Sequence, residues 1–324
     1  MQNLRVALSD HFDFYSFGVF GEISEKMKSS APEESTTFLR PGTRGLGAIL
    51  HAGLRFARQI RQIKPDLVLI NCEAAELFYA LFAPRTKCFL IHHIEPKFAW
   101  IKNPKIGKCV RLILKIKSAR SVYISESLRN LALEEDGIVL ENVHNFMTAE
   151  RTKLAKESTE RRVVFVGRLH PQKQPEIVIE LCNELKKTCV FFGDGPQLSN
   201  LKFLANKNNV ESFFMGFQKN IWSLVNSGDV LVLPSAYEGK PMVINEALFH
   251  GLHVIVYRLR YLEHEFPELP VVFVEDFTDL IKEVDKCFAM RPRGIEEIEQ
   301  IRFILSKRNT EVISRWKETI LSVL

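Results

Sequence analysis

The sequence predicts an α/β protein made of two doubly wound domains. The chain has 324 residues, which is long for one hydrophobic core and fits two domains. Short apolar runs, typical of buried parallel strands, alternate with segments of helical periodicity. This alternation restarts after residues 148–161, which are polar and poor in large apolar groups. We therefore expect two successive βα arrays with a cleft between them, joined by a linker at those residues.

The first domain is predicted to span residues 1–150. Its expected elements, in order, are strands at residues 6–8, 67–70, 88–91 and 122–124 and helices at residues 46–63, 73–82 and 125–135. Residues 67–70 are apolar throughout, as in a parallel strand covered on both faces. Ser125 is a good helix cap. These features favour a βα array that begins near the start of the chain.

The second domain is predicted to span residues 151–308. Its expected elements are strands at residues 163–166, 189–192, 230–233 and 254–256 and helices at residues 175–186, 197–206 and 242–250. An amphipathic helix with Trp316 is expected to close the chain from about residue 310 to 324.

The composition is typical of a folded protein, with 46% hydrophobic and 26% charged residues. No run approaches the roughly 18 apolar residues of a membrane span. The N-terminus lacks the apolar core and cleavage site of a signal peptide. Six scattered cysteines without CxxC spacing predict buried thiols in a reducing cytoplasm.

Positive charge is concentrated in the first domain. Residues 40–129 hold 17 Lys or Arg against 5 Asp or Glu, and residues 97–120 hold eight basic residues and no acidic one. Such a surface attracts membrane headgroups, lipid pyrophosphates or nucleic acid. A solvated basic face is the alternative.

Polar and glycine-rich segments follow three predicted strands of the second domain, at the strand ends where open α/β sheets bind ligands. The first two segments contain Gly167, Arg168 and Lys173, and Gly193, Gly195 and Pro196. The glycines let a ligand approach the backbone, although structural turns explain them equally well.

The third strand end is the most informative. It runs through Ser235, Glu238, Gly239, Lys240 and Pro241 into a helix that starts with Met242 and Val243, contains Glu246 and is stopped by Gly251. Pro241 suits the first helical position and Gly251 the C-terminal cap. The free N–H groups of the first turn, with the positive end of the helix dipole, suit an anion.

Glu238 and Glu246 would repel a diphosphate that touched them. They are better suited to accept hydrogen bonds from neutral hydroxyls, while Arg168 and Lys173 offset phosphate charge. A ligand with both hydroxyls and a diphosphate is a nucleotide sugar. The alternative is that both glutamates face solvent on a capped helix.

The pattern Ser235-x-x-Glu238-Gly239-x-Pro241-x-Val243-x-x-Glu246-Ala247 resembles the signature of the retaining glycosyltransferases of family 4, in which seven residues separate two glutamates. Gly167-Arg168 with Lys173, Gly193-x-Gly195-Pro196 and Met215-Gly216-Phe217 match three further elements in the same order, and residues 143–146 resemble the segment that closes the family's first domain. The similarity is specific from residue 163 to 255 and vague before residue 120.

The resemblance implies the GT-B fold, with two Rossmann-like domains and a C-terminal helix, residues 309–324, that packs back on the first. It implies that Arg168 and Lys173 bind the donor diphosphate, Glu238 holds the transferred sugar and Glu246 the ribose. Gly216 and Phe217 would present backbone groups to the base. Further donor-binding candidates are Gly167, Gly193, Gly195, Pro196, Ser235, Gly239, Lys240, Pro241, Met242 and Val243. Family members need no metal, so neither metal nor cofactor is expected.

His92 and His93 close a first-domain strand where the family often has a histidine facing the transferred sugar, so one of them is a catalytic candidate. A structural hydrogen bond is the alternative. Two segments depart from the family pattern. Residues 10–21 carry separated glycines, of which Gly18 is the candidate for the first loop or the acceptor, and residues 257–260 lack small polar residues.

The predicted function is metal-independent transfer of a sugar, with retention, from a nucleoside diphosphate sugar to a glycan or lipid-linked acceptor in bacterial surface polysaccharide synthesis. Residues 97–120 predict a peripheral surface on the inner face of the cell membrane, and no nucleic acid is expected. The alternatives are a sugar-nucleotide epimerase or phosphorylase of the same fold, or a non-catalytic nucleotide-sugar or polyanion-binding protein. A dehydrogenase is disfavoured, since no G-x-G-x-x-G follows a strand.

Overall fold

The computed structural model describes residues 2–15, 17–20, 36–39, 46–94, 104–132, 136–146, 161–226 and 228–324. The chain forms two compact units, the first from Met1–Val143 and Val312–Leu324 and the second from His144–Glu311. The predicted linker lies outside the described residues except for Arg161. The predicted domain limits at residues 150 and 308 stay predictions.

The first unit is built around a parallel sheet. Its helices are α1 (Gln2–Leu8), α2 (Leu46–Ile63), α3 (Glu73–Phe82), α4 (Pro104–Ile116) and α5 (Glu126–Ala132), and its strands are β1 (Phe17–Phe20), β2 (Thr36–Leu39), β3 (Val68–Ile70), β4 (Cys88–His92), β5 (Arg120–Tyr123) and β6 (Ile138–Val139). The main sheet has the order β3-β4-β5-β6, while β1 and β2 form a separate parallel pair. The predicted strands from residue 67 to 124 are thereby confirmed.

Alternate residues of β4 face opposite layers of the first unit, as the period of a strand requires. Cys88 and Leu90 pack in the cluster formed with α2, α3 and α4. Phe89 and Ile91 pack in the cluster formed with α1, α5 and the end of the chain. The sheet is covered on both faces, which explains why its strands read as continuous apolar runs.

The predicted strand at residues 6–8 is wrong, because these residues belong to helix α1. Leu4 and Leu8 are buried at 3% and 0% exposure, while Val6 between them is 56% exposed. A spacing of four buries one face of a helix, whereas a strand would have buried Val6 together with Leu4 and Leu8.

The second unit contains a larger parallel sheet. Its strands are β7 (Val163–Val166), β8 (Cys189–Phe192), β9 (Ser212–Gly216), β10 (Val230–Leu233), β11 (His253–Tyr257) and β12 (Val271–Val274), and its helices are α6 (Glu176–Leu185), α7 (Leu198–Lys207), α8 (Met242–Phe249), α9 (Phe277–Ala289) and the first part of α10 (Ile295–Val323). The sheet order is β12-β11-β10-β7-β8-β9. All its pairs are parallel, which confirms the doubly wound prediction.

Helix α10 begins 15 residues earlier than the predicted start at residue 310 (310 − 295). Ile301 and Leu305 of its first part pack in the second unit. Its last turns belong to the first unit, where Trp316 is 2% exposed and its Nε1 donates to the Glu141 carbonyl at 2.8 Å. Within the described ranges, no helix combines the length and apolarity needed to cross a bilayer.

Candidate functional site

The order of the large sheet places a crevice between β7 and β10. These strands are neighbours, with Val163 opposite Val230 and Val164 opposite Leu231. Strands β8 and β9 follow β7 on one side of the sheet, and β11 and β12 follow β10 on the other side. Ligands of doubly wound sheets bind at the carboxyl ends of strands at such a switch point. The segments after β7 and β10 are those singled out in the sequence.

Lys173 and Glu238 meet at this crevice. The Lys173 Nζ donates to Glu238 Oε1 in an ion pair whose side chains are only 18% and 7% exposed. Lys173 ends a 3₁₀ turn, Pro171–Lys173, that is capped by His170, whose ring accepts a hydrogen bond from the Gln172 amide. A predicted cation and a predicted hydroxyl acceptor are therefore within one hydrogen bond of each other.

The backbone around Glu238 is fixed from two sides. The Tyr261 hydroxyl accepts from the Glu238 amide at 3.1 Å and donates to its carbonyl at 2.9 Å. Gln172 Nε2 donates to the Tyr237 carbonyl at 3.0 Å, and the Gln172 carbonyl accepts from the Ala236 amide at 2.9 Å. The loops after β7, β10 and β11 thus hold the carboxylate in place.

Sequence reasoning missed Tyr261, Gln172 and Glu265. Glu265 Oε2 accepts from Lys240 Nζ at 3.2 Å, with both side chains less than 10% exposed. Tyr261 and Glu265 lie just after residues 257–260, the stretch that departs from the family pattern. The only feature of the sequence that could have indicated a role for Gln172 is its position between Arg168 and Lys173.

The loops after β7 and β8 pack together so closely that two glycines are required. A Cβ on Gly193, which has a φ of +138°, would lie 1.9 Å from the Gly167 carbonyl oxygen, and a Cβ on Gly195 would lie 2.3 Å from that of Leu169. Leu169 donates to the Asp194 carbonyl at 3.0 Å. These glycines have a structural reason in addition to the predicted approach of a ligand.

The loop after β9 continues this arrangement. The Gly193 amide donates to the carbonyl of Gly216, at the end of β9, at 2.8 Å. Phe217, the next residue, is 52% exposed. Arg168 and Pro196 are also exposed. The predicted residues that follow β7, β8 and β9 therefore lie along one edge of the sheet.

Helix α8 begins at Met242, with Pro241 as its N-cap. The prediction that Pro241 is the first helical residue was one position early, so Glu246 is the fifth residue of the helix. The N-cap residue, Pro241, makes no side-chain cap hydrogen bond to the first turn, and the amides of such a turn suit an anion. Gly251, with a φ of +85°, follows the helix end as predicted. Glu246, Met242 and Val243 are half-buried.

Ser235 lies two residues after the end of β10 and is 2% exposed. Among the described residues, its Oγ is a buried polar atom without a hydrogen-bond partner. Leaving a buried hydroxyl unpaired costs about 1–3 kcal/mol. A ligand that reached this hydroxyl would remove the penalty. Gly239, next to Glu238, is also buried.

The two histidine candidates lie at the carboxyl end of β4 in the first unit. His92 Nε2 is 3.3 Å from Ser121 Oγ, and its ring stacks on Tyr123 with 4.8 Å between centroids. His93 Nε2 is 3.1 Å from Asn71 Oδ1, and burial lowers the pKa of His93. Gly18 lies within strand β1, opposite Thr37, and not in the predicted loop.

Residues 146–268 match the family described as "Glycosyl transferases group 1". These residues belong to the group 1 glycosyl transferases. The matched range contains β7 to β11 and the Lys173–Glu238 pair. The predicted family is confirmed, and the match begins at Phe146, the last residue of the segment expected to close the first domain.

Two curated bacterial proteins match parts of this chain. A provisionally assigned glycosyltransferase, EpsF, of Bacillus subtilis (strain 168) is 32% identical over 121 residues, which are 35% of this chain and 32% of EpsF. The UDP-Gal:alpha-D-GlcNAc-diphosphoundecaprenol alpha-1,3-galactosyltransferase of Escherichia coli is 37% identical over 101 residues, 28% of this chain and 26% of that enzyme. The matches thus span a third or less of these relatives.

A solved structure resembles this chain over nearly its whole length. Alr3699/HepE of Anabaena, in complex with UDP and glucose, has a TM-score of 0.74, with 16% sequence identity, 99% of this chain covered and 94% of that chain covered. This similarity confirms the predicted GT-B fold.

Proposed function

We propose that the protein is a retaining glycosyltransferase that moves a sugar from a nucleoside diphosphate sugar to a glycan or lipid-linked acceptor. The observation that carries this proposal is the bonding of Lys173 to Glu238 at the β7–β10 switch point. In a sugar phosphate, the anionic oxygens of the phosphate group lie close to the neutral hydroxyls of the sugar ring. A site for it needs a cation and a hydroxyl acceptor side by side, as Lys173 and Glu238 are.

The roles follow from charge. Lys173 and Arg168 bind the diphosphate, and Glu238 accepts hydrogen bonds from the sugar hydroxyls. As the bond to the anomeric carbon breaks, negative charge grows on the departing diphosphate, where the two cations and the first turn of α8 stabilise it. An oxygen of the departing phosphate takes the acceptor proton. Loss of one such electrostatic contact typically lowers kcat by roughly 10²–10³-fold.

Other predicted residues enter the proposal with narrower roles. Glu246, the fifth residue of helix α8, binds the ribose, and Gly216 and Phe217 contact the base. One of His92 and His93 contacts the transferred sugar, and Gly18 the acceptor. The reaction needs no metal, because the cations already offset the diphosphate charge. Unchanged turnover after treatment with EDTA is the expected result.

The comparisons support the donor and acceptor classes. HepE holds UDP and glucose, and the Escherichia coli relative takes galactose from UDP-Gal to a diphosphoundecaprenol-linked acceptor. We propose a UDP-sugar donor and a lipid-linked acceptor for this chain, in the synthesis of a bacterial surface polysaccharide.

A lipid-linked acceptor requires access to a membrane, and α4 offers a suitable surface. Its buried side is Gly107, Val110 and Leu114. Its outer side carries three apolar residues, Ile106, Leu112 and Ile116, exposed at 46%, 62% and 67%. Exposed cations lie among them, at Lys105, Lys108, Arg111 and Lys115. A helix with this pattern binds at an anionic interface, so we propose a cytoplasmic protein bound to the inner face of the membrane.

Product stereochemistry tests the reaction. With a panel of UDP-sugars and a synthetic lipid-diphosphate acceptor, NMR of the product is expected to show the anomeric configuration of the donor. An inverted centre would contradict the retaining mechanism. Incubation without acceptor separates the epimerase, because only an epimerase would convert the nucleotide sugar to its isomer under those conditions.

A further inference from the structure

A second site is indicated by a cavity of about 490 Å³ in the first unit. It lies at the amino ends of β4 and β5, lined by residues that precede or begin those strands and by the end of helix α10. His92 is at the carboxyl end of β4, so the cavity is at the other end of the sheet from the histidine candidates. None of the residues assigned to sugar transfer lines it.

The cavity is strongly cationic. Of the ten described residues that line it, four are basic and none is acidic. The basic residues are Arg85, Lys87, Lys117 and Arg120. Across the part of the chain that the structure describes, none of the four forms an ion pair with an Asp or Glu side chain. Three of these cations, Arg85, Lys117 and Arg120, therefore lie around one cavity without a carboxylate partner among the described residues. They repel each other and favour an anionic ligand.

Hydrogen bonds hold three of the four basic side chains at the cavity wall. Lys117 Nζ donates to the carbonyls of Tyr79 and Ala83 at 2.8 and 2.7 Å. Arg85 donates to Ser118 Oγ at 2.9 Å, and Lys87 to a main-chain oxygen of Leu324, the last residue of the chain, at 2.9 Å. Burial lowers the pKa of Lys117, and an anion beside it would favour its charged form. The wall is thus positioned before any ligand arrives.

The neighbouring end of α4 distinguishes between kinds of anion. Ile116, the last residue of α4, directly precedes Lys117 and is 67% exposed. Leu112, one turn earlier, is 62% exposed. Leu112 and Ile116 do not line the cavity, but Ile116 adjoins its lining residue Lys117 in sequence. A basic cavity with exposed apolar side chains on the adjoining helix matches a ligand with an anionic head and an apolar tail. A free phosphate would gain nothing from them.

We propose that this cavity binds the phosphodiester headgroup of an anionic membrane lipid, with Leu112 and Ile116 facing its acyl chains. The inference rests on the proposed membrane binding of α4 and adds a defined headgroup site to it. Non-specific attraction of a basic helix depends on the total charge. A headgroup site depends in addition on Arg85 and Arg120, which lie outside α4.

Vesicle partitioning tests the site. The probes are vesicles of phosphatidylcholine alone and with phosphatidylglycerol. The Arg85→Gln/Arg120→Gln variant is expected to partition at least about a hundredfold less to the anionic vesicles, which exceeds the loss of about thirtyfold that two non-specific charges near such a surface give at about fivefold each. The control Lys105→Gln/Lys108→Gln removes the same charge from exposed positions of α4 that do not line the cavity and should lower partitioning by only about thirtyfold. Equal unfolding midpoints show that both variants fold.

The outcomes separate this site from membrane binding in general. If the wild type binds anionic vesicles and both variants partition alike, the headgroup site is overturned and the peripheral surface stands. If the wild type binds no vesicles, the peripheral surface is overturned, and the lipid site with it. A titration with short-chain phosphatidylglycerol and inorganic phosphate identifies the ligand. Tighter binding of the lipid, lost in the cavity variant, supports the proposal, and equal or tighter binding of phosphate contradicts it.

Discussion

Lys173 and Glu238 are 65 residues apart in sequence and form an ion pair between the ends of β7 and β10. Their side chains are 18% and 7% exposed, so each charge has little water to stabilise it and depends on the other. The pair joins two strand ends at the switch point of the sheet. This relationship links the stability of the site to its chemistry.

The stability losses from removing the two charges of this pair should not be additive. Lys173→Met and Glu238→Gln are each expected to lower the free energy of unfolding by about 2–3 kcal/mol, because each leaves a largely buried charge unpaired. The double variant should lose less than the sum of the two, by about 1–3 kcal/mol. Urea denaturation of the four proteins measures this coupling. Strictly additive losses would show that the two charges do not depend on each other.

Tyr261 is expected to act through Glu238. Tyr261→Phe removes both hydrogen bonds to the Glu238 backbone, so the carboxylate that we assign to the sugar loses its fixed position. The affinity for a nucleotide sugar should fall by about tenfold, the value of roughly one net hydrogen bond. The affinity for the nucleoside diphosphate alone should stay within about twofold. Calorimetric titration measures both, and an equal loss for the two ligands would indicate a general structural defect.

Gly193 is expected to tolerate no side chain. Gly193→Ala places a Cβ 1.9 Å from the Gly167 carbonyl oxygen and forces an alanine to a φ of +138°, so the free energy of unfolding should fall by at least about 2 kcal/mol. Gly294→Ala is the matched control, because a Cβ there meets nothing within 4 Å and should change stability by less than about 1 kcal/mol. Denaturant midpoints compare the two. Equal midpoints would contradict the tight packing of the two loops.

The second unit should lose stability in mild acid because of His253. This residue is 7% exposed, and its pKa is lowered from 6.5 first by burial and then by Arg293. Below about pH 6.5 the unfolded chain binds a proton that the folded chain does not, so unfolding is favoured as pH falls, by at most about 1.4 kcal/mol per pH unit. His253→Asn should flatten this dependence between pH 7.5 and 5.5. Parallel curves for the two proteins would assign the loss to other groups.

The sequence predicted best where burial alone decides the structure. Residues 163–166, 189–192 and 230–233 are apolar throughout, and the structure has strands with those bounds. The position of the candidate site, at the carboxyl ends of these strands, then followed from the topology of parallel sheets. Helix α1 was missed because its seven residues contain apolar side chains both two and four apart. Only the burial of Leu4 and Leu8 and the exposure of Val6 distinguish the helical period from the strand period.

The partners of the site residues could not be predicted in this way. Tyr261 reaches Glu238 from a separate loop after β11, and Glu265 reaches Lys240 from the same loop. No local spacing encodes such contacts, because they depend on how the chain returns after a strand. The cationic cavity has the same origin, since it combines Arg85, Arg120 and the end of α10.

Donor binding tests the central claim most directly. A thermal-shift series with a panel of nucleoside diphosphate sugars is expected to include one that raises the melting temperature of the wild type by about 5–10 °C at a hundredfold excess over its dissociation constant. Glu238→Gln should lose most of the shift given by the nucleotide sugar while retaining the shift given by the nucleoside diphosphate. The account would be contradicted if no nucleotide sugar stabilised the wild type, or if Glu238→Gln responded to that sugar as the wild type does.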